Sequence, residues 1–183
     1  MKVIATQIPE ILIIEPQVIE DERGFFMESF NQQRFEQALG TSVRFVQDNH
    51  SRSARGVLRG LHYQIGDRVQ AKLVRVVAGA VFDVAVDLRR SSPTFGRWVG
   101  VELSAANRRQ LWIAPGFAHG FVVLGRCADL LYKTTDYYAP THDRCIVWND
   151  PDISIAWPIG GRSPVLSAKD VHGKTLRDAD LFP

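Results

Sequence analysis

Cysteine is scarce in this chain of 183 residues, which contains only Cys127 and Cys145 and no CxxC pair. A core of this size needs no disulfide bond, so we predict two free thiols in a reducing compartment. Long apolar runs are also missing, since none approaches the roughly 20 residues that cross a bilayer. The N-terminal residues lack the basic region and apolar run of a secretory signal. These absences predict a cytoplasmic protein with no membrane partner.

An excess of charge of one sign is absent as well. The chain has 22 basic and 20 acidic side chains, which give a formal net charge of +2. The arginines are scattered rather than grouped, so the sequence offers no stripe of positive charge to follow a nucleic-acid backbone. The hydrophobic fraction of 45% and the charged fraction of 23% are ordinary for a globular protein. We therefore predict a single domain spanning residues 1–183 and no nucleic-acid partner.

What the sequence does contain is a succession of short apolar runs separated by Gly, Pro, Asn and Asp. Such runs are typical of β-strands, and we predict strands at 11–14, 24–30, 43–47, 57–63, 72–77, 80–88, 98–103, 109–113, 120–123, 128–135 and 145–148. Along 80–88 the side chains alternate between two faces. The segment 78–80 contains Gly79 and predicts a hairpin turn. Many closely spaced strands favour an antiparallel sandwich or barrel.

Only one helix has clear signals at both ends. Asn31 can cap its start, Phe35 and Leu39 contribute an apolar stripe, and Gly40 can end it in a left-handed conformation. A further short turn is expected at 167–170. The predicted fold class is therefore all-β with few short helices.

Several polar side chains lie inside runs otherwise suited to burial. His62 and Lys72 lie in apolar strands, Tyr132 lies in another, and His119 follows a Pro-Gly turn. Burying a lysine or histidine costs free energy unless the group is paired, which makes these positions candidates for a functional site. Each also has an ordinary structural alternative: a hydrogen-bonded histidine, a lysine that reaches solvent, or a core tyrosine.

Eight sequence strings, taken together and in order, resemble those of the dTDP-4-dehydrorhamnose 3,5-epimerase family. They are DERGFF at 21–26, FVQDNHS at 45–51, LRGLH at 58–62, QAKLVR at 70–75, FDVAVD at 82–87, SPTFG at 92–96, PGFAHGF at 115–121 and WNDP at 148–151. The resemblance runs from about Gln7 to Asp170. It implies a cupin-like double-stranded β-helix, or jelly-roll barrel, that works as a homodimer without a metal or an organic cofactor.

The resemblance also implies a reaction. Family members invert C3 and C5 of dTDP-4-dehydro-6-deoxy-D-glucose, forming dTDP-4-dehydro-L-rhamnose for dTDP-L-rhamnose biosynthesis. The C4 ketone acidifies the hydrogens on both carbons, so a base can remove one and leave an enolate. Reprotonation from the opposite face inverts the carbon. Such a site needs a base, an acid on the far face and a cation near the C4 oxygen.

The resemblance assigns these roles to residues of this chain. His62 is the base, Asp170 is its partner, Lys72 stabilises the enolate and Tyr132 is the proton donor. Arg23 and Arg59 are expected to bind the diphosphate. The nucleotide is expected to contact Glu28, Gln47 and Asn49, with Phe26 and Tyr138 available for stacking. Asp83 and His119 are expected to hold the surrounding hydrogen-bond network, and Asp143 and Lys169 are expected to be further substrate contacts. Strict alternation places Arg59 and His62 on opposite faces of one strand, so either a bulge at Gly60 re-aims one of them or Arg59 serves another part of the site.

Cupin barrels often hold a metal through a His-x-His pair and a third histidine from a later Pro-Gly turn. Here the strand offers His62-Tyr63-Gln64, and the turn offers His119, so one ligand is missing. This falls short of the usual three protein ligands of a catalytic zinc site, and we predict no metal. A metal-dependent dioxygenase is thereby disfavoured. The remaining alternatives are a mono-epimerase or ketoisomerase on the same fold, and a non-catalytic nucleotide-sugar-binding cupin module.

Overall fold

Two antiparallel sheets and a separate hairpin make up the fold. The computed structural model describes residues 1–183. One sheet has six strands in the order β1 (Lys2–Ala5), β2 (Ile11–Glu15), β10 (Gln110–Ile113), β7 (Lys72–Ala78), β12 (Cys127–Thr134) and β5 (Gln47–Ala54). The other has five strands in the order β13 (Asp143–Cys145), β6 (Leu58–Gln64), β11 (Phe117–Val123), β8 (Ala80–Asp87) and β9 (Trp98–Ser104). The hairpin pairs β3 (Val18–Asp21) with β4 (Gly24–Met27).

Helices are few and short, as predicted. They are α1 (Gln32–Leu39), α2 (Ala168–Val171) and one 3-10 turn (Gly66–Arg68). The Asn31 side chain accepts a hydrogen bond from the Arg34 backbone N–H, and Gly40 ends α1 at φ 70°. The predicted caps of α1 are therefore confirmed. No helix in the structure is long and apolar enough to cross a membrane.

Alternation along β8 places its two faces in two different cores. Val81 and Ala85 pack between the two sheets, together with Val74 and Leu130 of the six-stranded sheet. Side chains of the opposite face, such as Val84, pack against the C-terminal segment. Because both faces are covered, β8 ends in five consecutive buried residues, 83–87, and its polar positions require specific partners.

A third core lies on the outer face of the six-stranded sheet. Phe35 of α1 packs there against Ile14, Leu73 and Trp112. The rings of Phe35 and Trp112 meet edge to face with centroids 5.4 Å apart. This cluster explains why α1 is stable although it is only eight residues long, since tertiary packing rather than propensity holds a helix of that length.

Three local predictions were wrong. The strand predicted at 43–47 begins only at Gln47, because Val43 packs in the α1 cluster instead of joining the sheet. The strand predicted at 145–148 ends at Cys145. The segment 78–80 is not a hairpin, since β7 and β8 lie in different sheets and Gly79 turns the chain from one sheet to the other. The first strand and β3 were not predicted, and the remaining predicted strands overlap observed ones.

Candidate active site

Two adjoining cavities lie between the two sheets. The first, which we call the His119 cavity, has a volume of about 280 Å³ and is lined by Arg59 and His119 among others. The second, the Tyr138 cavity, has a volume of about 360 Å³. The residues that line both are His62, Lys72, Tyr132 and Lys169. Three of the four predicted catalytic residues therefore lie where the cavities meet, and the fourth, Asp170, lines the His119 cavity.

A bulge in β6 brings Arg59 and His62 to the same cavity. Opposite β6, His119 pairs with His62 and Phe121 pairs with Arg59, so two steps along β11 match three steps along β6. The extra residue reverses the parity of alternation. Gly60 lies in this segment at φ 127°, and a Cβ there would come within 2.5 Å of the Gly120 Cα. The first of the two expectations for Arg59, a bulge at Gly60, is confirmed.

His62 and Asp170 form a hydrogen-bonded pair between β6 and α2. His62 Nε2 lies 2.8 Å from Asp170 Oδ1, and the Asp170 side chain is only 2% exposed. Asp170 also accepts hydrogen bonds from the Ser167 hydroxyl at 2.6 Å and the Gly60 N–H at 3.1 Å. Burial alone would raise the pKa of Asp170, but the hydrogen bonds from His62, Ser167 and Gly60 outweigh it and hold that pKa below its usual range. The carboxylate is therefore anionic at neutral pH.

The other nitrogen of His62 has no partner within the protein. Nδ1 is shielded from solvent and makes no hydrogen bond. With Nε2 directed at a carboxylate, the neutral ring carries its proton on Nε2 and its free electron pair on Nδ1. The neutral ring of His62 can thus act as a base.

A second histidine–carboxylate pair lies directly beside the first. His119 Nε2 is 2.9 Å from Asp83 Oδ1 and 3.0 Å from Oδ2, and Asp83 is completely buried. His119 is paired in register with His62 across β11 and β6. Asp83 lies behind His119 rather than on the cavity wall, so it can act on a ligand only through His119.

Lys72 begins β7 and is buried between the two cavities. It is 8% exposed, and its Nζ donates a hydrogen bond to the His62 carbonyl oxygen at 3.3 Å. Burial lowers the pKa of Lys72 from 10.5 to about 8, while the charges of Asp143 and Asp83 act in the opposite direction. The ammonium group therefore remains charged at neutral pH, close to the face of the site that holds His62.

Tyr132 of β12 faces the same space from the other sheet. It is half-buried, packs against the core between the two sheets and lines both cavities. Burial raises the pKa of its phenol, so Tyr132 keeps its proton at neutral pH. His62 and Tyr132 thus stand on different sheets with the cavities between them.

The Tyr138 cavity is rich in hydrogen-bonding side chains. Gln47 Nε2 donates to Asn49 Oδ1 at 2.9 Å, and the Tyr138 hydroxyl donates to Asp143 Oδ2 at 3.0 Å. Lys169 forms an ion pair with the same carboxylate oxygen of Asp143. All five of these residues were predicted as substrate contacts, and the structure brings them to one cavity.

Three predicted site residues lie elsewhere in the chain. Arg23 and Phe26 belong to the β3–β4 hairpin, where Arg23 is paired with Asp21 and Phe26 is 69% exposed. Glu28 follows the hairpin and contacts Asn31 and Arg34. None of the three lines the His119 cavity or the Tyr138 cavity of its own chain.

Two serines of the site had no predicted role. Ser53 accepts a hydrogen bond from Arg59 Nε at 2.9 Å and holds that guanidinium at the cavity. Ser167 caps α2 in a reciprocal capping box with Asp170. The Ser-x-x-Asp spacing was a usable signal for Ser167. No signal pointed to Ser53, because the strand predicted at 43–47 ended before it.

One cluster offers donor atoms for a metal. A nitrogen of His62, the sulfur of Cys145 and an oxygen of Asp170 all lie within 4.8 Å of one another. Burial raises the pKa of the Cys145 thiol to about 12, however, and a thiol binds metal ions as the thiolate. Asp170 is already occupied by three hydrogen-bond donors, His62, Ser167 and Gly60. The donor chemistry of this cluster therefore fits a metal poorly.

Comparison with known proteins assigns the chain to a family. Residues 5–178 match the family model described as dTDP-4-dehydrorhamnose 3,5-epimerase. The chain belongs to the dTDP-4-dehydrorhamnose 3,5-epimerase family. The predicted resemblance is confirmed, and so is the predicted cupin-like all-β fold.

Members of the dTDP-4-dehydrorhamnose 3,5-epimerase family match the chain over its whole length. An enzyme of that name from Pseudomonas aeruginosa is 63% identical over 100% of both chains. The dTDP-6-deoxy-D-glucose-3,5-epimerase of Legionella pneumophila, solved in complex with dTDP-4-keto-L-rhamnose, superposes with a TM-score of 0.94 and is 57% identical, covering 98% of this chain and 94% of that one. A dTDP-4-dehydrorhamnose 3-epimerase from Streptomyces niveus is more distant, at 40% identity over 93% of this chain and 83% of its own.

Proposed function

We propose that this protein inverts C3 and C5 of dTDP-4-dehydro-6-deoxy-D-glucose and releases dTDP-4-dehydro-L-rhamnose. The observation that carries the proposal is the meeting of the His62–Asp170 pair, Lys72 and Tyr132 at the junction of two cavities. These are a base, a cation and a proton donor. They are the three groups that epimerisation next to a ketone requires.

Proton removal is the role of His62. The His62 imidazole takes the proton from C3 or C5, and the electron pair of the C–H bond passes into an enolate whose charge is on the C4 oxygen. The ring then carries two protons, and the buried Asp170 carboxylate beside Nε2 stabilises the resulting imidazolium. The hydrogen bonds from Ser167 and Gly60 fix this carboxylate, so the ring keeps one orientation throughout.

Stabilising the enolate is the role of Lys72. A buried ammonium group acts on a nearby negative charge in a medium of low dielectric, where its effect is larger than in water. Its lowered pKa, about 8, still leaves it protonated at neutral pH. His119, held by the Asp83 carboxylate, is a second polar group that lines the same cavity, from the other sheet.

Reprotonation is the role of Tyr132. The phenol gives its proton to the carbon from the face opposite His62, which inverts the configuration. Tyr132 then regains a proton from solvent, and His62 gives its proton to solvent, so both groups return to their starting states. The raised pKa of the phenol favours this cycle, because the proton is present at neutral pH and the phenolate recovers it readily.

The two cavities divide the substrate between them. The His119 cavity is lined by the histidines of both histidine–carboxylate pairs, which makes it the sugar compartment, with Arg59 as a cation for the adjoining phosphate. The Tyr138 cavity, with Gln47 and Asn49, receives the nucleotide side. Lys72, one of the two lysines that line both compartments, lies beside the reacting centre in this arrangement.

A homodimer would explain the three predicted contacts that lie away from the cavities. The β3–β4 hairpin exposes Ile19, Phe25 and Phe26 to 59%, 57% and 69%, a patch of apolar surface that favours burial against another chain. We propose that this hairpin reaches the partner subunit's cavities, where Arg23, Phe26 and Glu28 complete the nucleotide site.

Mixing two inactive variants tests this arrangement. Arg23→Ala and His62→Ala protein are each assayed alone, and then after mixing under conditions that exchange subunits. If Arg23 serves the partner's site, each mixed dimer has one site with both residues intact, and activity is regained on mixing. If Arg23 serves its own chain, no site is intact and mixing restores nothing. Sedimentation of the wild-type protein measures the oligomeric state independently.

We also propose that the chain is one domain and works in the cytoplasm. Leu176 and Trp157 of the C-terminal segment belong to the same core as Val84 of the five-stranded sheet, which supports a single folding unit. Both cysteines are free, which supports a reducing compartment. Calorimetric unfolding in a single two-state transition is the expected result for one domain.

Proton NMR in D2O tests the reaction. Purified, metal-stripped protein is incubated with dTDP-4-dehydro-6-deoxy-D-glucose, and deuterium at C3 and C5 is followed together with the product configuration. Deuterium at both carbons with formation of the L-lyxo sugar is the expected result. Exchange at one carbon identifies a mono-epimerase, and loss of activity with the metal refutes the metal-free mechanism. Binding of the sugar without exchange would identify a non-catalytic module.

A further inference from the structure

The inward-facing row of β5 is polar along its whole length. Gln47, Asn49, Ser51 and Ser53 alternate with the exposed residues of the strand and point into the sandwich. An inward polar row is costly in a β-sandwich unless each group finds a hydrogen-bond partner. The hydrogen-bond partners of these side chains therefore show which of them are satisfied within the protein and which are left for a ligand.

One member of the row lacks a partner. Gln47 and Asn49 are bonded to each other at 2.9 Å, and Ser53 accepts from Arg59. The Ser51 hydroxyl oxygen is shielded from solvent and makes no hydrogen bond. A buried hydroxyl without a partner costs stability, and such a group in a cavity wall is suited to a ligand that supplies the missing bond.

The position of Ser51 selects the part of the ligand that it can meet. Ser51 lines the His119 cavity but not the Tyr138 cavity. In the sheet it is paired with Leu130, two residues along β12 from Tyr132. It therefore lies in the sugar compartment, on the same sheet as the proposed proton donor and across from His62.

We propose that Ser51 is a further substrate-binding residue, whose hydroxyl exchanges a hydrogen bond with a hydroxyl of the ketosugar. The proposal rests on the function proposed above, which makes the His119 cavity the sugar compartment. Rotation about the Cα–Cβ bond between staggered positions turns the hydroxyl from the wall towards the cavity. The bond positions the sugar against His62 and Tyr132 without taking part in proton transfer.

The Ser51→Ala variant tests the proposal through three measurements. Loss of one neutral hydrogen bond lowers kcat/KM for the dTDP-ketosugar about 3- to 10-fold. The Kd of dTDP, which carries no hexose, stays at the wild-type value. The melting temperature is unchanged or raised, because alanine removes an unpaired buried hydroxyl. If Ser51 had a purely structural role, the alanine variant would melt at a lower temperature than the wild type.

Ser104→Ala is the matched control. Ser104 is also buried in a strand, but its hydroxyl accepts a hydrogen bond from the Asn107 N–H and lies outside both cavities. This variant keeps wild-type kcat/KM and melts at a lower temperature. The pair thus separates truncation of a buried serine from loss of a ligand contact.

Two outcomes overturn the proposal. Wild-type kcat/KM in Ser51→Ala shows that the hydroxyl meets no part of the substrate. A weakened Kd for dTDP shows that Ser51 contacts the nucleotide and not the sugar. Failure of the wild-type protein to epimerise the ketosugar is a different result, because it refutes the proposed function before Ser51 is considered.

Discussion

Replacing Lys72 by methionine is expected to change the stability and the activity of the protein in opposite directions. Methionine resembles the lysine side chain in length and removes the charge, the one weak hydrogen bond to the His62 carbonyl oxygen, and the cost of burying an ammonium group. Because Lys72 is 8% exposed, solvent does little to reduce that cost. We expect the variant to be more stable than the wild type and almost inactive.

The size of the gain follows from the pKa. Burial lowers the pKa of Lys72 from 10.5 to about 8, which corresponds to about 3 kcal/mol at roughly 1.36 kcal/mol for each pKa unit. The unfolded chain binds this proton more tightly than the folded chain, so the cost is fully present below pH 8 and disappears as the pH rises to 10.5. The advantage of Lys72→Met is therefore largest at pH 7 and fades in strong alkali.

Catalysis changes in the opposite direction. Removing the cation beside the enolate oxygen lowers kcat by about 10²- to 10³-fold. In the wild type, kcat/KM falls as the pH rises through about 8, since Lys72 then loses its proton. The residual activity of Lys72→Met lacks this alkaline limb. The phenol of Tyr132 does not cause the limb, because burial raises its pKa from 10.0.

Urea unfolding at pH 7 and pH 10, at one fixed protein concentration, measures the stability difference, and the NMR assay measures kcat/KM from pH 6 to 10. Lys174→Met is the control, because Lys174 is exposed and its contact with Asp180 is long, at 3.5 Å. It changes neither property appreciably. A Lys72→Met protein that is less stable than the wild type at pH 7, or that keeps the alkaline limb, refutes the reasoning.

Three further substitutions have defined outcomes. His62→Ala abolishes turnover, because the ring takes part in proton transfer. The Kd of dTDP, measured by calorimetry, stays within about twofold of the wild-type value, because the ring takes no part in nucleotide binding. Near-normal turnover would show that the base is another group. Tyr132→Phe slows product formation more than it slows deuterium entry into unreacted substrate, and equal losses in the NMR assay would contradict its role as the donor. Gly60→Ala lowers the free energy of unfolding by at least about 2 kcal/mol in urea titration, because a Cβ would lie 2.5 Å from the Gly120 Cα. Wild-type stability of this variant would show that the bulge tolerates a side chain.

Local sequence signals were sufficient wherever the structure depends on neighbouring residues. The caps Asn31 and Gly40 set the ends of α1, because capping is a matter of backbone groups within one turn. Alternation of side chains assigned the two faces of β8. The residue strings assigned the family without any structure, because their order along the chain is itself a sequence property.

Tertiary structure decided the features that depend on distant residues. The β5 strand is held by pairing with β12, about 80 residues later, and beyond Gln47 its polar sequence did not indicate a strand. The bulge that turns Arg59 and His62 to one cavity exists only in the register between β6 and β11. The separation of Arg23 from the cavities of its own chain is likewise a consequence of how the hairpin lies on the fold. The sequence by itself determined which chemical groups are available and where helix α1 begins and ends. Only the folded chain determined which groups meet, because pairing between strands far apart in sequence sets the distances between them.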